Sequence, residues 1–366
     1  MRVSFRSIVI HVVLACPVAL VFAGCSGTVP SSTSVVSGGT QVDVSPSGPI
    51  GNSPNTAAAQ GVAINGNQSA YVSSNNWLAA YNANWTLQWK NTNELAGLPS
   101  AVTHIGDIDY YNGKLIAPVE NYTGCNAFAP VLLAVYDAAT GSLVTWSDIT
   151  ANGHEASSVT VIAEKNQLVV SDFCSQVSGR NKLWIYDLNA VLNNPAGSVL
   201  SAIGSIQLTP PLNAIQGISW NANVGQFLVT TDIGGPAGSL WYIAPDGTVT
   251  GPAYVVPGTG ELEGADFSTG NIYYLLNGYV YGIGAPPAAP VLDPAPGTFT
   301  GEKKVTVTDA TPGAVIYYTT NGSMPTTKSP IYTDPVKIHN KTTFTAIAVV
   351  NGTLSSPATV GTYTNK

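Results

Sequence analysis

Between residues 60 and 284 the apolar positions fall in short runs with period-two alternation, broken by Gly, Asn, Asp and Pro turns, which predicts strands rather than helices. The runs recur in a fixed order: a short strand, a turn, a second strand ending in a polar residue, and a third strand carrying aromatic residues. First strands stack as Gln60–Ile64, Gly106–Tyr110, Ser157–Val161, Gln216–Trp220 and Glu263–Phe267, a match of pattern and not of identity. Third strands follow as Leu78–Asn82, Leu133–Asp137, Leu183–Asp187, Leu240–Ala244 and Tyr279–Ile283, with fourth strands at Trp85–Trp89, Ser142–Trp146 and Thr248–Val256.

Successive repeats begin 46, 51, 59 and 47 residues apart, the length of a four-stranded antiparallel blade, so the expected architecture is an all-β chain built on a five-bladed β-propeller. Six blades, or a five-bladed ring closed differently, are the alternatives. The fifth repeat has room for only three strands, which predicts that the segment near Gln41–Val44 returns to supply its outer strand. The fourth positions of the first strands are small or polar (Ala63, Asp109, Thr160, Ser219, Asp266), and period-two alternation turns this set toward a narrow central channel.

Only 9% of the 366 residues are charged, against 45% hydrophobic, with 37 Gly and 25 Pro. Long exposed helices need Glu, Lys and Arg, so coiled coils and helical bundles are excluded. No stretch after residue 25 approaches the ~20 unbroken apolar residues of a spanning helix. Residues 51–284 hold fifteen acids and five bases, a net charge of −10, whereas residues 285–366 hold four acids and six bases. That field favours cations and neutral ligands over polyanions. Arg180 is the one arginine beyond residue 25, so nucleic-acid and phosphate recognition lack their usual residue type.

In an antiparallel blade the first strand begins on the face where the second ends, so that face gathers the candidate site. Second strands close with Asn75, Glu120, Asp172, Asp232 and Asn277; at or just before the first strands lie Gln60, His104, His154 with Glu155, Gln216, and Glu261 with Glu263. One reading makes these groups strand caps and rim hydrogen bonds. The other makes His104, Glu120, His154, Glu155, Asp172, Asp232, Glu261 and Glu263 the lining of a ligand-binding mouth. His104, Glu120, His154 and Asp172 are candidate metal ligands, with Glu155 nearby; the carboxylates suit Ca²⁺ and the histidines Zn²⁺, although no His-Glu-x-x-His spacing occurs. Glu120, Asp172, Asp232 and Glu263 are also candidates for the two carboxyls of a glycosidase. No Gly-x-Ser-x-Gly elbow is present, and no motif fixes a catalytic residue.

Arg2 and Arg6 precede an apolar run from Ile8 to Ala23 that ends in Ala23-Gly24-Cys25. The segment resembles a bacterial lipoprotein signal, which implies removal of residues 1–25 up to a lipidated Cys25; cleavage after Ala23 by an ordinary signal peptidase is the alternative. Both export the protein, and Ser26 after the cysteine resembles the outer-membrane sorting class. Residues 26–59 are a Ser/Thr/Pro/Gly-rich tether, residues 60–284 the propeller, and residues 285–297 a Pro-rich linker to an 80-residue-scale tail, residues 298–366. Cys16 goes with the signal, leaving Cys125 and Cys174 as an even pair in an oxidising compartment, expected to form a disulfide between equivalent loops of adjacent blades. Free thiols acting on a metal or substrate are the other reading.

The tail carries Ile316-Tyr-Tyr-Thr-Thr-Asn-Gly-Ser-Met-Pro-Thr326, then Tyr332-Thr-Asp-Pro335 and Thr343-Phe-Thr-Ala-Ile-Ala348. This resembles the chitobiase/β-hexosaminidase C-terminal domain over roughly residues 286–364, with Asn321 where that family often has Asp. The resemblance implies an accessory module of carbohydrate-active and surface proteins and transfers no catalytic residue. Alternating strands at Lys304–Thr308, Val315–Thr319 and Thr343–Val349 independently predict a small Ig-like β-sandwich. Tyr317, Tyr318 and Tyr332 could meet sugar, with core packing as the alternative. Val135–Trp146 resembles the blade hairpin of PQQ-like and NHL-type repeats, a phrase that carries no cofactor. The expectation is an exported, lipid-anchored cell-envelope protein that binds a ligand, carbohydrate foremost. Its alternatives are a metal-assisted hydrolase or lyase on a glycan or lactone, and a protein–protein scaffold.

Overall fold

The computed structural model describes residues 40–43, 59–75, 77–174, 177–232, 238–256, 260–350, 352 and 354–366. The signal segment, Cys25 and most of the tether lie outside the described residues. Nearly everything described is strand, and among the described residues no helix is long and apolar enough to cross a membrane.

Five sheets lead the described chain, antiparallel except that Ser198–Val199 pairs parallel with Leu143–Asp148 at the outer edge of the second. The first contains Ala59–Ile64, Ala70–Ser74, Trp77–Tyr81 and Leu87–Asn91 in spatial order. The third (Ser158–Ile162, Gln167–Ser171, Lys182–Asp187, Gly204–Gln207) and fourth (Ile215–Asn221, Gln226–Thr231, Ser239–Ile243, Val249–Val255) repeat this meander. In the fifth, Leu262–Asp266, Ile272–Leu276 and Tyr279–Gly284 are completed by Thr40–Asp43, which pairs antiparallel with the last of these, Thr40 opposite Gly282. The inner strands touch in a closed circuit, first to second, second to third, and so on back from fifth to first, as the sheets of a propeller do.

Local chemistry moves some boundaries from their expected places. The outer strand of the first sheet starts at Leu87 and not Trp85, because the Asn82 Oδ1 accepts the N–H groups of Asn84 and Thr86 and holds Trp85 in a turn at φ 58°. The second sheet is irregular: its inner edge is split into His104–Ile105 and Asp109–Tyr111, both on Lys114–Glu120, followed by Val131–Asp137 and Leu143–Asp148. In the third repeat a short helix, Leu188–Asn193, intervenes before the outer strand; Asp187 caps it by accepting the Ala190 N–H at 2.8 Å.

The fourth-position set does not line an open channel. Each polar member instead accepts the fifth-position N–H of the next inner strand: Asp109 from Val161 (2.7 Å), Thr160 from Trp220 (2.8 Å), Ser219 from Phe267 (2.8 Å) and Asp266 from Ile64 (3.0 Å). Ala63 has no such group, so the cycle lacks one bond, between the first sheet and the second. One level away Asp107, fully buried, reaches across the axis: Oδ1 accepts from Val62 (2.9 Å) and Ile108 (3.1 Å), and Oδ2 from Ile218 and Ala265 (3.3 Å each). The neighbouring strands make room with glycine. A Cβ on Gly264 would sit 2.3 Å from the Asp107 Oδ1, and one on Gly217 would sit 2.5 Å from the Ala265 backbone nitrogen. The axis is thus filled by carboxylate and backbone.

Burial raises the affinity of these axial acids for protons. The Asp266 carboxyl is pushed up to about 7 by burial and by the charge of Asp109, and Asp109 itself to about 6 by burial. Raised carboxyls stabilise the fold fully below their unfolded value near 4, and that contribution is lost as pH rises through the folded value. The melting temperature is therefore expected to fall by roughly 5 °C or more between pH 5 and pH 8. Asp266→Asn, which keeps an acceptor for Ile64, should flatten that slope; an unchanged pH profile in the variant would contradict the assignment.

The tail forms two sheets on one core. Val291–Asp293, Lys303–Thr308 and Val336–Ile338 make one; Thr298–Phe299, Thr359–Asn365, Thr342–Val350 and Val315–Thr319 make the other, with Leu354–Ser355 beside Thr342–Val350. Leu292, Phe299, Val305, Ile338, Phe344 and Tyr363 fill the space between them. Tyr318 stacks on Phe344 at 5.2 Å and meets Tyr332 edge-on at 6.2 Å, so both pack against this core. The tail also grips the fourth sheet: Tyr242 Oη donates to the Ser355 carbonyl, Ser355 Oγ donates to the Ala253 carbonyl, and Leu354 joins the apolar cluster of the fourth and fifth sheets.

Candidate functional site

The face formed by the ends of the second strands carries a chain of polar side chains running from the fifth sheet to the third. Glu263 accepts from Gln60 Nε2 at 3.2 Å, and Gln60 Oε1 lies 3.0 Å from His104 Nε2, which assigns the proton to that ring nitrogen. His104 Nδ1 stands 3.8 Å from Glu120 Oε1, too far for a hydrogen bond. The backbone accounts for this proximity, because His104 and Glu120 are directly paired residues of neighbouring strands. Glu120 Oε2 accepts the Ala156 N–H at 3.3 Å, and Glu155 Oε2 the Phe173 N–H at 2.5 Å. The Glu155 carboxyl is close enough to those of Glu120 and Asp172 that their charges raise its affinity for a proton.

Asp172 ends the chain. Its Oδ2 and Oδ1 accept from Arg180 Nε (2.5 Å) and Nη2 (2.6 Å), a bidentate pair with both residues buried, and Oδ1 also accepts the Cys174 N–H. Arg180 Nη1 donates to the Cys125 carbonyl at 2.5 Å. Cys125 and Cys174 form the expected disulfide, with Cα atoms 5.4 Å apart, stapling the loop after Glu120 to the loop after Asp172.

Burial dominates the electrostatics. It pushes both Glu120 and Glu155 above the carboxylate range, and the Glu120 and Asp172 charges act on Glu155 in the same direction. Glu263 is raised well above its ordinary value by burial and by Glu261 and Asp232, while Glu261, more exposed, is raised by partial burial and Asp232. His104 is pushed down to about 4 by burial and stays neutral at pH 7.

The two histidines have separate surroundings. His154 is fully buried, Nδ1 bonded to the Glu155 carbonyl (2.8 Å) and Nε2 to Tyr186 Oη (2.6 Å), its ring stacked on Trp184 at 4.4 Å. Both ring nitrogens are thereby occupied, and both Asp172 oxygens face Arg180, which leaves neither side chain a lone pair in the open for Ca²⁺ or Zn²⁺. Among the described residues no group of three His, Cys, Asp or Glu side chains is arranged to hold a metal ion.

The open space on this face lies beyond Arg180. A cavity of about 440 Å³ is bounded by Phe128 and Asn126 of the loop after Glu120, Gly153, Val177–Arg180, and Trp184 of the third sheet. The Arg180 guanidinium lies 4.7 Å over the Phe128 ring. Trp184 Nε1 is buried with no protein hydrogen-bond partner. Sequence reading singled out the acids beside this cavity and not its aromatic walls; the signal available was the pair of loops held by the two cysteines, with the one arginine between them.

Residues 294–362 match the chitobiase/β-hexosaminidase C-terminal domain family. No curated protein matches the chain. Among solved structures, a gluconolactonase from Xanthomonas campestris is similar over 61% of this chain and 71% of its own, with 12% identity and a TM-score of 0.39. A chain of the mitotic checkpoint complex is similar over 87% of this chain and 95% of its own, with 9% identity and a TM-score of 0.35.

Proposed function

We propose that this chain is an exported carbohydrate-binding protein, lipid-anchored through Cys25 at the cell envelope, with a five-bladed propeller at residues 60–284 and an Ig-like accessory module at residues 298–366. The observation that carries the binding reading is the cavity beside Arg180, whose lining combines the apolar surface of Phe128, Val177 and Trp184 with the polar groups of Asn126, Ser178 and Arg180, the mixture that suits a sugar's C–H patches and hydroxyls. The carbohydrate-related family of residues 294–362 agrees with that choice of ligand. The buried acids serve as the support that fixes Arg180, which favours binding over hydrolysis. A metal-assisted hydrolase and a protein scaffold are the less supported readings.

Ser178 is exposed at the cavity wall, so Ser178→Trp fills the space without disturbing a buried contact. Titration of the purified protein with soluble glycan oligomers is expected to give binding that this variant weakens at least tenfold. Equal binding by parent and variant would place the sugar elsewhere; no binding by the parent to any glycan would remove the proposal.

A further inference from the structure

A second cavity, of about 290 Å³, opens between the fourth sheet and the tail, and it shares no lining residue with the cavity beside Arg180. The fourth sheet contributes Pro252 and Val255 to its lining, and the tail contributes Met324, Pro325, Ile347 and Val349. Val255 is 60% exposed, so the space is reached from solvent and leaves apolar surface in water.

Among the described residues that bound this cleft there is no Asp, Glu, Lys, Arg or His. A charged ligand would give up its hydration there with no counter-charge in return. Six hydroxyls line the cleft, and three of them already donate within the protein: Tyr242 Oη to the Ser355 carbonyl (3.2 Å), Ser355 Oγ to the Ala253 carbonyl (3.3 Å) and Ser356 Oγ to the Pro357 carbonyl (2.7 Å). Thr326 Oγ1 accepts the Lys328 N–H at 3.2 Å. Thr250 and Thr327 take part in none of these bonds, enough for one small polar end and not for a sugar's ring of hydroxyls. Tyr242, the one aromatic residue in the lining, is buried and offers no stacking platform. The bulk of the surface is aliphatic.

Size sets the length of what can enter. An apolar cavity of ~150 Å³ holds one benzene molecule, so this cleft has room for about a dozen carbon atoms. We infer that the cleft is a second binding site, which takes the uncharged alkyl chain, about eight to twelve carbons long, of a small diffusible amphiphile. Met324, unbranched and polarisable, adapts the wall to the chain. The inference goes beyond the carbohydrate-binding reading and does not rest on it.

Calorimetric titration of the purified protein at pH 8 with 1-octanol, with octanoate, which is ionised there, and with cellotriose tests the inference. 1-Octanol is expected to bind about tenfold or more tightly than octanoate. Val255→Trp, which fills the cleft from an exposed position, should weaken 1-octanol by about tenfold or more, whereas Ser178→Trp in the other cavity should change it by less than about twofold. A melting temperature within a few degrees of the parent's establishes that each variant is folded. That pattern supports the inference whether or not the protein binds any glycan. Octanoate binding as tightly as 1-octanol would overturn the uncharged assignment. Loss of 1-octanol binding in Ser178→Trp but not in Val255→Trp would place the chain beside Arg180 and overturn the site, as would no measurable 1-octanol binding by the parent. Cellotriose binding that Val255→Trp abolishes would overturn the inference in favour of a sugar in the cleft.

Discussion

An Asp107→Ala variant is expected to lose about 3–5 kcal/mol of stability, although the residue touches no solvent and no ligand. Its carboxylate is the shared acceptor for N–H groups of three inner strands besides its own, Val62, Ile218 and Ala265. Alanine leaves these donors buried without partners at about 1–3 kcal/mol each, offset in part by the relief of a carboxyl that burial pushes well above its ordinary range. The packing around the carboxylate is tight, since Gly61 and Gly264 approach it too closely for even a methyl group. Asp107→Asn keeps the shape and one acceptor oxygen but turns an NH₂ toward the Ile218 and Ala265 donors, so it should fall between parent and alanine. Urea unfolding of the three proteins reads the order directly. A loss under about 1 kcal/mol in the alanine variant would mean that the inner strands hold together without their common acceptor.

Arg180→Met is expected to cost a similar amount, about 3–5 kcal/mol, and to abolish glycan binding in the same protein. Methionine fills most of the volume of the arginine stem, so the loss is electrostatic. Asp172 is left buried with its bidentate partner gone, beside Glu155 and Glu120, and the Cys125 carbonyl loses its donor. Arg180→Lys should recover little, since a single ammonium cannot span both Asp172 oxygens and the carbonyl. Unfolding and titration on the two variants separate the effects: stability restored in Arg180→Lys without binding would divide the support role from the ligand role. Full stability in Arg180→Met would show that the acids hold their protons and need no cation.

Much of the circuit of sheets could be read from period-two alternation and the spacing of the repeats. The return of the segment near residue 41 to the fifth sheet followed from counting strands. The character of the axis did not follow. Asp107 occupies the column that holds Gly61, Ser158, Gly217 and Gly264 in the other repeats, and a carboxylate in a column of small residues was the visible sign of a group reaching across the centre. Alternation says only that a side chain points inward; whether it meets a void or a neighbour's N–H depends on strand separation, which sequence does not encode. The rim behaved similarly. Its acids could be located on one face, but their pairing with Arg180, and the burial of His154 against Trp184 and Tyr186, arise from loops whose course a disulfide determines. The cavity walls escaped notice because Phe128 and Trp184 are 56 positions apart in the chain, one in the loop after Glu120 and the other in a strand of the third sheet.

The pairing of Thr40–Asp43 with Tyr279–Gly284 has a mechanical consequence. The strands are antiparallel, with Thr40 opposite Gly282 and Asp43 opposite Tyr279, so the chain enters the circuit and leaves it at the same end of one strand pair. Tension applied between residue 40 and residue 284 loads the inter-strand bonds one after another, as in unzipping, instead of shearing them together. The seam then peels from Thr40 toward Asp43 at low force, whereas the first and fourth sheets, whose four strands follow one another along the chain, contain no such seam.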